Sequence, residues 1–172
     1  MLRAVLAMVG VLALGPAWGE TRSAEQFFDP KFGDFKSELE SARKQGKRGV
    51  LIMFELDDCP FCHRMKQTVL NQAEVQEYFR KHFLVFTVDI KGDTAVTDFQ
   101  GKDTTEKAFA FDHRVRATPV FGFFDLDGRM AYRFTGATRD VQEFMQLGRF
   151  VVDGVHKQPG MSFAKYKQQA AQ

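Results

Sequence analysis

Residues 50–63 read VLIMFELDDCPFCH and join the two signals that decide the fold. Val50 to Leu56 is short, almost continuously apolar and rich in strand formers, the pattern of a central strand covered on both faces. Directly after it, Cys59-Pro60-Phe61-Cys62 holds both cysteines of the chain and is followed by His63. A C-x-x-C pair before His fits covalent haem attachment, and the same pair at a strand-to-helix junction fits a disulfide-exchange dithiol. Pro60 suits the first turn of a helix, where its missing N–H costs nothing, and the helix is predicted to continue through Met65 and Val69.

Outward from this stretch, helical and strand patterns alternate. Phe35, Leu39 and Ala42 recur at helical spacing over Asp34 to Gln45, and Gly46 stops the run. A second helix begins near Asn71, with Val75, Tyr78, Phe79 and Phe83 on one face, and Leu84 to Ile90 is a second buried strand. The polar stretch Lys91 to Asp103 reads as a surface loop, a candidate for partner selection. Thr104 to Val115 is predicted as a helix with Ala108, Phe109 and Phe111 inside, leading to Thr118-Pro119. Val120 to Leu126, the Asp127-Gly128 turn and Met130 to Phe134 form a hairpin, followed by helices over Val141 to Val152 and Ser162 to Ala171. This order implies an α/β domain with a mixed sheet of at least four strands between helices, and an irregular lead-in over Glu20 to Gly33.

The N-terminus carries a different signal. Arg3 precedes an apolar run from Ala4 to Leu14, and Ala17-Trp18-Gly19 places small residues where a signal peptidase reads them. Residues 1–19 are therefore expected to be a secretory signal cut before Glu20, because the run falls short of the roughly 20 apolar residues that span a bilayer. No later stretch is long and apolar enough to span, so no stable membrane insertion is expected after cleavage. In a bacterium, the destination is the oxidising periplasm.

Composition narrows the chemistry further. The formal net charge is +2, and loss of Arg3 leaves +1, which gives no electrostatic support to a nucleic-acid partner. The single Trp departs with the signal while all 19 Phe remain, so the core is built on Phe and aliphatics. One cysteine pair excludes a disulfide framework of the small secreted kind. Covalent haem would ask for a mostly helical chain and a second axial ligand beyond His63, whereas this chain spends its apolar residues on strands. Zinc finds at most an incomplete set in Cys59, Cys62 and a distant His; His82, His113 and His156 are scattered without ligand spacing. The dithiol reading has a direct physical basis. Cys59 would open a helix, where free backbone N–H groups and the macrodipole favour the thiolate that attacks disulfides, and Cys62, one turn on, would resolve the mixed disulfide. A non-catalytic metal-binding or copper-chaperone module using the same cysteines stays open as the alternative.

Taken together, VLIMFELDD, CPFCH, RATP and the hairpin VFGFFDLDGRMAYRFTGA make the chain resemble the thioredoxin superfamily. The approach MFELDDCPFC, the segment DIKGDTAVTDFQGKDTTEKAFA and the C-terminal GRFVVDGVHKQPGMSFAKY are similar to exported thioredoxin-related proteins of the SoxW type. The resemblance implies a thioredoxin-like fold over residues 34–172. It implies a protein-disulfide oxidoreductase whose only redox group is the Cys59–Cys62 disulfide, with no further cofactor and no metal. It also implies that Pro119 is the cis-proline facing the dithiol, that Thr118 offers backbone hydrogen bonds to a substrate strand, and that Gly136 lets substrate backbone approach. Pro60 and Phe61 would form the lip around Cys59. The implied partners are disulfide-containing exported proteins of sulfur oxidation or cytochrome maturation, and a membrane electron donor of the CcdA/DsbD type.

Departures from the superfamily pattern are also legible. The buried acid before the first cysteine and the lysine beside it are replaced by Met53 and Val85. Neither charge is stranded, and proton transfer needs another group; Glu55, two residues after Met53 and on the same face of the strand, is the candidate relay. Asp58 stands where a tryptophan is expected, with Asp57 beside it; the two carboxylates oppose a thiolate at Cys59, whereas protonated His63 supports one. This acidic approach favours a reductase over a strong oxidase.

Overall fold

The computed structural model describes residues 19–170. The predicted signal peptide falls almost wholly on residues 1–18, outside the described residues. Twelve elements follow in the order α1 (Phe35–Lys44), β1 (Gly49–Glu55), α2 (Pro60–Thr68), α3 (Ala73–His82), β2 (Phe83–Asp89), β3 (Ala95–Thr97), β4 (Asp103–Thr105), α4 (Glu106–Asp112), β5 (Val120–Asp125), β6 (Met130–Thr135), α5 (Val141–Val152) and α6 (Phe163–Ala170). Short 3₁₀ turns occupy Ala24–Phe27 and Val155–Lys157.

The main sheet has the order β2-β1-β5-β6, with β1 parallel to β2 and antiparallel to β5, and β5 antiparallel to β6. Alternation along the strands splits the core in two. Leu51 and Met53 of β1 point to a cluster with Met65, Phe79, Phe121 and Phe144, under α2, α3 and α5. Val50, Ile52 and Phe54 point the other way, to Phe35, Phe86, Phe109 and Phe124, under α1 and α4. Both faces of β1 are thus covered, which is why it reads as a continuous apolar run. The Phe-rich composition is spent here: Phe79 stacks on Phe144 with centroids 4.4 Å apart, and Phe35 on Phe109 at 4.9 Å.

Local sequence sets the helix starts. Asp34 accepts from Ser37 N–H at 2.9 Å to cap α1, and Asp140 accepts from Glu143 N–H at 2.8 Å to cap α5. Four expectations need correction. Lys91 to Asp103 is not wholly a loop, because Ala95–Thr97 pairs antiparallel with Asp103–Thr105 and buries Val96 and Phe99. The helix expected over Thr104 to Val115 begins at Glu106 with Thr105 as its cap, and it buries Phe109 and Ala110 while leaving Ala108 and Phe111 exposed. Phe83 opens β2 rather than closing α3, and Val69 is the buried residue just past the end of α2. Opposite Met53 stands Thr87; Val85 pairs with Leu51.

The lead-in packs as a strap across α3 and β2. Phe27 is fully buried beside Phe79 and Phe144. Arg22 N–H donates to Asn71 O, Gln76 Nε2 to Ser23 O, and Arg80 pairs with Asp29, whose carboxylate also accepts from Val85 N–H.

Candidate active site

β1 ends at Glu55, at one end of the sheet, and four residues later Cys59 opens α2. Cys59 is the helix cap: its φ and ψ of −94° and 103° are extended, and its sulfur accepts from Cys62 N–H at 3.1 Å. Pro60 occupies the first helical position, where no N–H is needed. The two cysteines are joined in a disulfide with Cα atoms 5.2 Å apart. Cys59 keeps 6% of its surface and Cys62 only 1%, so Cys59 is the more accessible of the two.

The residues around the pair fall into three groups. Phe61 is 60% exposed and, with exposed Pro60, forms an apolar lip. Asp57 and Asp58 are exposed in the turn before Cys59. His63 is exposed too, but its Nε2 lies 2.7 Å from Asp57 O, so the ring N–H clips that turn to the helix. The Thr118–Pro119 peptide, just ahead of β5, is cis. Pro119 O accepts from Gly136 N–H at 2.8 Å, and among the described residues the Thr118 backbone N–H and C=O have no hydrogen-bond partner. Gly136 has φ +102°, a backbone angle that favours glycine, and the space where a Cβ would point is empty to 4 Å.

Glu55 ends β1 and pairs with Lys66 at 2.6 Å; its side chain is only 16% exposed, so it is not a charge loose in solvent. Lys66 lies one turn beyond Cys62 and also stands over the Phe28 ring at 5.7 Å. Met53 and Val85, which the sequence reading set in place of an acid and a lysine, are both fully buried, but they are not cross-strand partners. Sequence reasoning missed Lys66 and also Arg64, whose guanidinium reaches Thr138 O at 2.9 Å. Their spacing behind Cys62 was a signal, but their partners were not visible from it. Of the other histidines, His113 lies between Phe109 and Phe124, with centroids at 4.6 and 5.0 Å, and burial pushes its pKa down.

A shallow groove of about 450 Å3 adjoins the dithiol helix, lined by Arg22, Glu25, His63, Lys66, Gln67 and Asn71. A larger cavity of about 850 Å3 lies at the opposite end of β1, and neither cysteine lines it. Among the described residues no group of three or more His, Cys, Asp or Glu is arranged to hold a metal ion, and no helix is long and apolar enough to cross a membrane.

The sequence profile of a family described as thioredoxin-like domain matches residues 35–151. No curated protein matches the chain. Among solved structures, it is similar to a thioredoxin-fold protein from Helicobacter pylori, at 20% identity over 85% of this chain and 88% of that one, with a TM-score of 0.62. It is also similar to a thioredoxin from Thermus thermophilus, at 25% identity over 73% and 90%, TM-score 0.56. A third likeness is to a DsbH oxidoreductase, at 15% identity over 86% and 96%, TM-score 0.55.

Proposed function

The chain belongs to the thioredoxin-like domain family, and on that premise we propose that it is a periplasmic thiol-disulfide oxidoreductase working as a disulfide reductase on exported proteins. The observation that carries this reading is the position of the Cys59 sulfur as the cap of α2, accepting from Cys62 N–H. A thiolate there meets the positive end of the helix, which lowers its pKa and keeps it ready to attack.

The reaction balances within the dithiol. Cys59 thiolate attacks one sulfur of the substrate disulfide; that S–S bond breaks, the other substrate sulfur leaves as a thiolate, and a mixed disulfide forms. Cys62 gives up its proton and attacks the Cys59 sulfur. The Cys59–Cys62 bond forms, and the captured substrate sulfur departs. Two electrons pass to the substrate; the Cys62 proton follows them, a second proton comes from solvent, and no other cofactor is used. We assign the Cys62 proton to Glu55, which Lys66 holds in place. His63, fixed to the Asp57 carbonyl, offsets the two nearby aspartates when protonated. Thr118, with its backbone groups free, pairs with an extended substrate strand along the cis Pro119 and Gly136, while Pro60 and Phe61 cover its other side.

Asp57 and Asp58 support the direction of electron flow, because they weaken the thiolate stabilisation on which a strong oxidant depends. In this scheme a membrane protein of the CcdA/DsbD type regenerates the reduced dithiol, the acceptors belong to sulfur oxidation or cytochrome maturation in the manner of SoxW-type proteins, and the signal at residues 1–19 supplies export. Reduction of insulin disulfides in the presence of dithiothreitol is the direct test, with Cys59→Ser expected to abolish it. Stoichiometric copper or zinc binding without exchange would replace the reading by a metal-binding one. Equilibration in a glutathione series then fixes direction. A midpoint near the roughly −270 mV of thioredoxin supports a reductase, and one near the roughly −120 mV of DsbA makes it an oxidant.

A further inference from the structure

The connection between β6 and α5, residues 136–140, is held at four points. Gly136 N–H donates to Pro119 O at 2.8 Å, which locks its start to the segment carrying Thr118. Thr138 is fully buried, and its hydroxyl donates to Asp140 O at 3.2 Å and lies 3.6 Å from Met65 Sδ on α2. At its far end, Arg139 N–H donates to a Glu143 carboxylate oxygen at 2.6 Å, and Lys167 of α6 pairs with the other oxygen of that carboxylate. The remaining tie comes from the dithiol helix. Arg64, two residues past Cys62, reaches two successive carbonyls of the connection, Thr138 O at 2.9 Å and Arg139 O at 3.4 Å.

We propose that Arg64 is a positioning residue that fixes the 136–140 connection against the dithiol helix, and so sets how well an extended protein-disulfide substrate is held, without taking part in chemistry at sulfur. The inference rests on the exchange function proposed above. A substrate strand on Thr118 has the Gly136–Ala137 backbone as its neighbour, because Gly136 is bonded to the next residue, Pro119. With the dithiol at the start of α2 as the other wall of the proposed site, the width between walls follows the separation of α2 and the connection, which Arg64 bridges. A guanidinium suits this bridge because its fixed fork of donors can meet two neighbouring carbonyls at once, and neither acceptor carries a charge that would compete for the cysteine proton. Arg64 is partly buried and pairs with no carboxylate among the described residues.

The test is steady-state exchange with two substrates, a disulfide-bonded polypeptide such as insulin and the small disulfide DTNB, which has no strand to lay along Thr118. Arg64→Ala is expected to raise KM for insulin about tenfold with kcat changed less than about twofold, the loss of a charged hydrogen bond. Its rate with DTNB should match wild type. Arg64→Lys should recover part of the KM, since an ammonium reaches one carbonyl well and the pair poorly. An unchanged KM in Arg64→Ala, or equal losses with both substrates, overturns the inference. Should Arg64→Ala not fold, Arg64→Lys decides alone: a raised insulin KM at wild-type Tm supports the role, and an unaltered KM removes it. Wild-type protein inert toward both disulfides refutes the exchange function itself, whereas an active wild type with an unaffected variant refutes only the role of Arg64.

Discussion

Glu55 and Lys66 form a partly buried ion pair at the end of β1, with Lys66 one turn beyond Cys62. In the proposed mechanism this acid, fixed by a cation, takes the proton as Cys62 attacks. Glu55→Gln keeps shape and hydrogen bonding to Lys66 but removes the base. It is expected to slow decay of the mixed disulfide by about a hundredfold near neutral pH and to flatten its pH dependence. Quenched-flow trapping of the mixed disulfide measures this, and an unaltered profile would leave Glu55 as a structural partner of Lys66 alone. Cys62→Ser should make the mixed disulfide with Cys59 long-lived enough to isolate. At this scale the sequence disclosed what lies close along the chain. The two cysteines, the proline at the helix start and the Thr-Pro are neighbours in sequence, and their spacing carries their chemistry. The Arg64 contact was illegible because its acceptors lie 74 and 75 residues away. Glu55 reads from the sequence as a candidate relay, but the partner that anchors it, Lys66, is visible only in the structure.

Strongly periodic elements were legible and short ones were not. α1, β1, β5 and α5 bury whole faces and declare themselves by repetition. β3 and β4 are three residues each, and only Val96 among those six is buried, so their pairing leaves almost no apolar signature. In α4 the buried stripe is carried by Phe109 and Ala110, and Phe111 instead lies under the Arg116 guanidinium at 4.8 Å. A helix this short turns its apolar face too few times for the register to be read from sequence. α5 supplies a sharper test of packing. Gly148 sits mid-helix, where alanine ordinarily adds about 1 kcal/mol of stability. Here a Cβ would lie 2.7 Å from Tyr78 Cε1 and 2.8 Å from Phe79 Cζ, and Phe79 is locked in the core against Phe144. Gly148→Ala is therefore expected to destabilise the protein by roughly 1–3 kcal/mol, read as a lower urea midpoint at unchanged m. A higher midpoint would mean that α3 and α5 are not closely engaged.

For the molecule as a whole, the two-sided Phe core makes stability depend on pH through the rings caught at its margins. Burial, aided by nearby Arg133, holds His113 below the ordinary imidazole pKa, and burial shifts His82 and His156 the same way. The unfolded chain takes up these protons near pH 6.5 while the folded protein resists them. This contribution to stability is whole above about pH 7 and declines as pH falls through the unfolded value, most for His113, the ring held deepest between aromatic neighbours. His113→Phe, which keeps a ring between Phe109 and Phe124, should give a shallower fall in unfolding free energy between pH 7 and 5. An identical slope in urea titrations would show that this ring is not responsible.

The strap ahead of α1 has a consequence in time. Its hydrogen bonds reach 51 to 56 residues ahead, from Ser23, Gln26 and Asp29 to Gln76, Arg80 and Val85. A chain emerging from its N-terminus releases this piece before anything exists for it to hold. It must wait, with Phe27 uncovered, until α3 and β2 have arrived, and only then does it close over them. The strap is thus among the last parts of the domain to settle, and a growing chain halted before Val85 would carry an aromatic side chain with nowhere to go.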